Sequence, residues 1–437
     1  MRHLDAYMDG VKAGEIVQED SGKTTFTYDR GYQNQRGATP LSLSMPLERD
    51  SHRQKNILPF LQGLLPDSAD RLKQLGREHH VNPNNPVALL ENVGADAAGA
   101  IQILPHGHES SDAATRVGDV AELSDSEFSE LIADLIKNKD TWGSDRRHGR
   151  WSLPGAQPKV ALFRTEQGRW ATPNDSTPTT HILKPSIAPY SDHHLNEFIT
   201  MRAAAILGLH VAEDDVIYTN AGDAVFISKR YDRERRDGKW VRLHQEDLCQ
   251  ALSADPALKY QSEGGPGVAK ISELLRSLPG RNRRIASVRF FEALCFNLAM
   301  QGTDAHAKNF SLMLSGNTAS LAPLYDLGSH APYPMPAGET MRLAMSVDGE
   351  YRMNAVGVAH LVQAGLRLGV REEVAQSRAT EILASTPEAY AQASSEARHR
   401  FGDDPFIAKL TDSIAEYAIV RGWVKRPATV RIGPGAN

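Results

Sequence analysis

The order of apolar patterns along the 437 residues predicts an α+β protein with a small mixed N-terminal domain, a β-rich lobe and a larger, mostly helical lobe. Three observations carry this prediction. Short alternating runs fill the first hundred residues. Next, two strand-like runs, one helix-like run and two more strand-like runs follow in that order. From about residue 245 helical periodicity dominates, with one interruption at 310–322. A cleft between a β-rich unit and a helical one is a common place for a ligand.

"HLDAYMDGVKAGEIV" holds two alternating runs around Asp9-Gly10, a hairpin signal. "TTFTY" and "LSLSMPL" are further strand candidates, and "ILPFLQGLLPDSADRLKQLG" gives helical pieces broken at Pro66. The polar stretch "GHESSDAAT" marks a boundary, so the first domain is set at 1–108. A helix starts where Ser124 and Glu127 stand in capping-box spacing, with Phe128, Leu131, Ile132 and Leu135 on one face. "NKDTWGSDRRHGR" reads as an exposed basic loop. "KVALFRT" and "THILK" are strands, and "HLNEFITMRAAAILG" is a helix stopped by Gly208. "DVIYT" and "AVFISKRYD" pair around Asn220-Ala221-Gly222. The β-rich lobe is thus placed at 116–244, the helical lobe at 245–426 and a frayed tail at 427–437.

Composition narrows the class. The formal net charge of -5 suggests no global nucleic-acid or membrane surface. The N-terminus opens no apolar run of the secretory kind, and the most apolar stretch is broken by Arg289, Glu292 and Asn297. The two cysteines, Cys249 and Cys295, lack a CxxC partner and read as buried thiols of a reduced, cytoplasmic protein. The histidines show no zinc-ligand spacing.

The stretch "GTDAHAKNF" carries the chemistry. Asp304 and Asn309 stand as D-x-x-x-x-N, the separation of the base and the metal-binding Asn in a protein-kinase catalytic loop. The Asp must face an attacking hydroxyl and the Asn a metal on the phosphates; a short loop at a helix end can hold both. On its own the pair is weak, since a polar helix cap gives the same letters. Its neighbours add to it. "SVRFFEALCFNLAM" before it has a helix face, "FSLML" and "ASLAP" after it form a hairpin pattern, and "LYDLG" follows with Asp326 in the place of the D-F-G aspartate. Upstream, Lys184 ends the strand "THILK", and Glu197 follows on a helix. A strand lysine braced by a helix glutamate is the other half of a phosphoryl-transfer constellation. Separately, a snorkelling lysine and a solvated glutamate would read the same way. No GxGxxG precedes Lys184. "SLPGAQPK" takes its place, where Gly155 and Pro154 suit either an anion-facing turn or a plain β-turn.

With those residues in view, the chain resembles the HipA family of bacterial serine/threonine kinase toxins over nearly its whole length. "PLSLSMPL", "LLPDSADR" and "GADAAGAIQIL" are similar to the family's N-terminal domain. "SLPGAQPK", "PTTHILK", "QEDLCQ", "KYQSEGGPG", "TDAHAKNF" and "LYDLGS" are similar to its kinase core. The resemblance implies a bilobal protein-kinase-like fold using ATP and Mg²⁺. Asp304 would be the catalytic base, and Asn309 and Asp326 the magnesium ligands. Lys184, braced by Glu197, would reach the ATP phosphates. Pro154, Gly155, Ala156, Gln157 and Lys159 would belong to the phosphate loop. His306, Tyr325 and Asp326 would lie at the nucleotide, and Lys229, Arg230 and Tyr231 at adenine. Ser152 matches a serine that the family autophosphorylates, a modification expected to expel the loop beside it. Arg146, Arg147 and Arg150 are candidates to capture that phosphate, or simply a solvated basic loop.

Three positions depart from the family pattern: Ala305 for Gly, Lys229 for Glu and Pro158 for Glu. None removes a catalytic group, though Lys229 puts a side-chain contact to adenine in doubt. The resemblance further implies a HipB-type helix-turn-helix antitoxin, operator DNA reached mainly through that partner, and a protein substrate of the aminoacyl-tRNA synthetase class. The outcome would be halted translation and dormancy. Two other readings stay open: a degenerate kinase core acting as corepressor scaffold, and a small-molecule phosphotransferase.

Overall fold

The computed structural model describes residues 1–107, 113, 115–138, 152–188, 192–336 and 338–426. Arg146, Arg147 and Arg150 lie outside the described residues.

The N-terminal part is a five-stranded antiparallel sheet of β1 (Arg2–Met8), β2 (Val11–Gln18), β3 (Thr24–Tyr28), β4 (Ser51–Arg53) and β5 (Ile101–Pro105), in the order β4-β3-β2-β1-β5. The first hairpin turns as expected, because Asp9 and Gly10 both take positive φ, 44° and 89°. Helices α1 (Arg30–Gln33), α2 (Gln54–Gly63), α3 (Ala69–Glu78) and α4 (Pro86–Val93) complete it. Their apolar sides close one core with Leu4, Ile16, Phe26 and Phe60. "LSLSMPL" is not a strand; it forms only an isolated bridge, Ser42 to Met45. Its backbone finds side-chain partners instead. The Leu41 N–H donates to the Tyr28 hydroxyl at 2.8 Å, that hydroxyl donates to the Met45 carbonyl at 2.6 Å, and the Leu43 N–H donates to Glu246 at 2.8 Å.

The second body is a six-stranded sheet in the order β10-β11-β9-β7-β8-β6, built from β6 (Val120–Glu122), β7 (Val160–Arg164), β8 (Trp170–Pro173), β9 (His181–Pro185), β10 (Asp214–Tyr218) and β11 (Ala224–Lys229). Helix α5 (Asp125–Lys137) carries the expected Ser124–Glu127 capping box and buries Phe128, Leu131, Ile132 and Leu135 against the sheet. Helix α6 (His193–Ile206) leaves through Gly208, φ 76°. The edge strand β6 and its neighbour β8 are absent from the sequence prediction, being only three and four residues long. So is the ribbon of β12 (Arg233–Arg236) and β13 (Lys239–Arg242).

The third body is mainly helical. Strand β14 (His244–Asp247) leads into α7 (Leu248–Ala251), α8 (Val268–Ser277) and α9 (Gly280–Ala299). The expected hairpin follows as β15 (Ser311–Ser315) and β16 (Thr318–Leu321), with β14 added at its edge. A small ribbon, β17 (Arg342–Val347) and β18 (Glu350–Arg352), precedes α10 (Val358–Arg367), α11 (Glu372–Phe401) and α12 (Pro405–Val420). From Ala286 to Ala299, helix α9 is buried on nearly every side, so the loop that follows it is anchored in the largest core. Cys249 and Cys295 are free and buried, as expected. Among the described residues, no helix is long and apolar enough to cross a membrane.

Candidate active site

The three bodies meet at a cleft of about 520 Å³. Every predicted site residue except Ser152 lines it: Pro154, Gly155, Ala156, Gln157, Lys159, Lys184, Glu197, Lys229, Arg230, Tyr231, Asp304, His306, Asn309, Tyr325 and Asp326. Residues up to 172 positions apart in the chain thus share one cavity.

Lys184 is its central cation. The pairing of β9 with β11 sets Lys184 opposite Phe226, whose ring lies 5.5 Å from the ammonium. The ammonium donates to Glu197 Oε1 at 2.7 Å and to Asp326 Oδ1 at 2.6 Å. Burial alone would lower its pKa, but the two carboxylates outweigh this and hold it above the usual lysine value. Asp326 is likewise held below the carboxylate range, because Lys184 and Lys159 more than offset its burial. Its backbone takes the left-handed region, with φ at 57°, which is uncommon for a residue other than glycine though open to Asp. That segment is clamped to α6: Asn196 donates to the Ser329 carbonyl at 2.7 Å and accepts from the Ser329 N–H at 2.8 Å.

The catalytic-loop candidate is a compact knot. The Asn309 side-chain amide donates to the Asp304 carbonyl at 2.8 Å, and the His306 N–H donates to the same carbonyl at 2.8 Å. This leaves the Asp304 carboxylate facing the cleft, 63% exposed, where it accepts a hydrogen bond from the Tyr260 hydroxyl. His306 is buried, and its Nε2 lies 3.7 Å from Asp304. Burial lowers its pKa and so favours the neutral ring.

The phosphate-loop candidate turns at Gly155, φ 108°, where a Cβ would come within 2.2 Å of Lys159 Nζ. Lys159 donates to the Pro154 carbonyl at 2.7 Å. Burial, and then the charge of Lys184, push its pKa down to about 8. Ser152 is buried behind this loop, its hydroxyl donating to the Leu64 carbonyl at 2.7 Å.

Lys229, Arg230 and Tyr231 run along the cleft wall, but two of the three side chains point elsewhere. The Lys229 ammonium bonds Glu213 at 2.8 Å. The Arg230 guanidinium enters a buried ion network, 2.9 Å from Asp232. Both side chains are thus engaged with carboxylates, while the two residues still line the cleft. Tyr231 stays in the cleft, its ring 5.7 Å from that of Tyr325. The Tyr325 hydroxyl donates to the Lys308 carbonyl at 2.8 Å and so pins the catalytic loop.

Absent from the sequence prediction are Asp67, Asp247, Lys259 and Lys308, which line the cleft, and Tyr260, whose hydroxyl bonds Asp304. Lys259 and Tyr260 open the quoted stretch "KYQSEGGPG", and Asp67 sits in "LLPDSADR". Asp67, Asp247, Lys259 and Tyr260 lie far in sequence from the catalytic loop they approach, so no local pattern announces them; Lys308 stands inside that loop, but its ion pair with Asp67 spans 241 residues.

A braced strand lysine, a D-x-x-x-x-N loop at a helix end and an aspartate after a hairpin, all in one interlobe cleft, define a protein-kinase-like phosphotransfer scaffold. Residues 151–390 match the HipA-like C-terminal domain and residues 4–104 the HipA N-terminal domain; the chain belongs to the HipA family. It is 34% identical over 419 residues to protein Y4mE of Sinorhizobium fredii, covering 95% of this chain and 97% of that one. It is 30% identical over 408 residues to the serine/threonine-protein kinase toxin HipA of Shewanella oneidensis, covering 89% and 88%. The fold is similar to that protein as solved with HipB and its operator DNA: TM-score 0.79, 25% identity, 95% of this chain and 97% of that one.

Proposed function

We propose that this chain is an ATP-dependent serine/threonine kinase of the toxin type. The observation that carries this reading is the Lys184 ammonium held between Glu197 and Asp326 inside the cleft that also exposes the Asp304 carboxylate. Lys184 and Lys159 supply positive charge for the phosphates, and the turn at Gly155 lets backbone approach them. Asp304 takes the proton of the attacking hydroxyl. Transfer needs no covalent help from the protein, so orientation and charge compensation carry the rate.

The donor set fits Mg²⁺. Asp326 offers a carboxylate with 39% side-chain exposure, and the Asn309 amide oxygen is left over once its NH₂ group holds Asp304. Both are hard oxygen donors, as magnesium requires. The metal would neutralise charge on the phosphates.

The autophosphorylation reading for Ser152 is supported by its place directly before the phosphate loop. With its hydroxyl bonded to the Leu64 carbonyl, Ser152 must leave this position before it can accept phosphate. By likeness to the Shewanella protein, the proposed partners are a HipB-type antitoxin and operator DNA. The proposed substrate is an aminoacyl-tRNA synthetase, the proposed compartment the cytoplasm and the proposed outcome growth arrest. The test is γ-phosphate transfer from ATP and Mg²⁺ by parent and Asp304→Gln proteins. Transfer is expected to fall at least about 10³-fold in the variant; a variant as fast as the parent refutes the base.

A further inference from the structure

The turn joining α2 to α3 reaches from the N-terminal domain into the cleft, and Asp67 at its tip is the only carboxylate of that domain among the described lining residues. It touches three functional segments at once. Its carboxylate pairs with Lys308, the residue before Asn309, and with Lys259 at 3.0 Å. The Lys259 ammonium lies 5.7 Å over the ring of Tyr260, whose hydroxyl bonds Asp304. The Asp67 N–H donates to the Gly155 carbonyl of the phosphate loop at 3.1 Å.

Chemistry makes these contacts hard to replace. Lys308 is buried, 6% exposed, and the Asp67 carboxylate lies within salt-bridge distance of it. Burial would raise the Asp67 pKa, but the two ammonium groups reverse this and keep it ionised. A buried cation without its carboxylate is destabilised, and it must give up its proton or move towards water. Any such movement of Lys308 drags Asn309, whose side chain holds the Asp304 carbonyl.

We propose that Asp67 is a positioning residue for phosphoryl transfer: a carboxylate of the N-terminal domain that holds the catalytic loop, the Tyr260 segment and the phosphate loop in their working arrangement. The N-terminal domain is then part of the active site rather than an appendage to it. This deepens the kinase reading and rests on it.

The test uses the full chain, Mg-ATP and dephosphorylated casein as a generic serine acceptor, beside hydrogen exchange of the nucleotide-free protein. Asp67→Asn is expected to lower kcat about a hundredfold with the KM for ATP within about threefold of the parent. Asp67→Glu is expected to restore most of the rate. If Asp67 acts through Lys308, the double variant Asp67→Asn/Lys308→Met is no slower than Lys308→Met alone. Amides of residues 304–309 are expected to exchange about tenfold faster in Asp67→Asn. Parental kcat in Asp67→Asn, losses that multiply in the double variant, or unchanged exchange would overturn the proposal. A parent that phosphorylates nothing would sink the kinase reading instead, and exchange alone would then decide whether Asp67 braces the loop.

Discussion

Two buried ion networks lie side by side in this molecule, and they are built to different rules. At the junction of the N-terminal domain with the β-rich lobe, Asp96 and Asp232 sit among Arg230, Arg233 and Arg242. Arg233 reaches Asp96 at 2.9 Å and Asp232 at 3.0 Å, and Arg242 reaches Asp96 at 3.1 Å. Leftover donors go to carbonyls, Arg230 to Ala97 at 2.8 Å and Arg233 to Gly99 at 2.9 Å. Leftover acceptors take the Thr179 hydroxyl at 2.6 Å and the Gly99 N–H at 2.7 Å. In the cleft, by contrast, Glu197 Oε2 and His306 Nδ1 are buried with no hydrogen-bond partner, and Asp326 and Asp304 open to solvent. A closed network holds parts together; one with unused valences is arranged for something that arrives.

That contrast is broken most directly by a pair of substitutions. Lys184→Met is expected to cut phosphate transfer about 10³-fold while lowering the melting temperature less than a junction substitution does. Asp96→Ala is expected to do the reverse. It leaves three buried arginines with one carboxylate fewer, Asp232 remaining to Arg230 and Arg233, and costs about 3–5 kcal/mol in denaturant unfolding. If Asp96→Ala unfolds no more easily than Lys184→Met, the two networks are not different in kind.

The same contrast explains what could be read from sequence. The cleft was legible because kinase chemistry demands particular residue types at fixed separations: Asp304 to Asn309, and Lys184 on a strand before Glu197 on a helix. The capping box at Ser124 and the hairpin at Asp9-Gly10 were legible because their causes are local. The junction was not. Asp96 meets Arg233 across 137 residues of chain, and no local pattern announces such a pair. "LSLSMPL" failed for a related reason: its strand-like alternation gives way to hydrogen bonds that its N–H groups donate to Tyr28 and Glu246, partners that only the assembled fold supplies. Arg230 lines the cleft, yet its guanidinium pairs with Asp232 in the junction network, a contact that no local pattern announces.

A pH measurement sharpens the comparison on the cleft side. With its pKa lowered to about 8, Lys159 loses its proton above that pH in the nucleotide-free protein. Phosphate favours the ammonium, so binding must restore the proton. At pH 9 nucleotide binding is expected to take up close to one proton, and at pH 6.5 almost none. Calorimetry in buffers of different ionisation enthalpy reads this directly, and Lys159→Met should abolish the difference. Uptake that is the same at both pH values would mean that Lys159 does not face the phosphates.

The smallest expected effect concerns Glu246, which tethers β14 to the N-terminal domain by accepting the Leu43 N–H at 2.8 Å. Here burial dominates and raises the pKa to about 8 from an ordinary 4.5. The folded state therefore prefers the neutral acid. That preference contributes fully below about pH 4.5, and it is lost as the pH climbs towards 8. Glu246→Gln keeps an acceptor for Leu43 and removes the titration. The variant is expected to melt with the parent at pH 4.5 and about 2–4 °C above it at pH 9. A gap that stays constant with pH would place the Glu246 charge in water, and the contact to Leu43 would then have to be an ordinary surface tether.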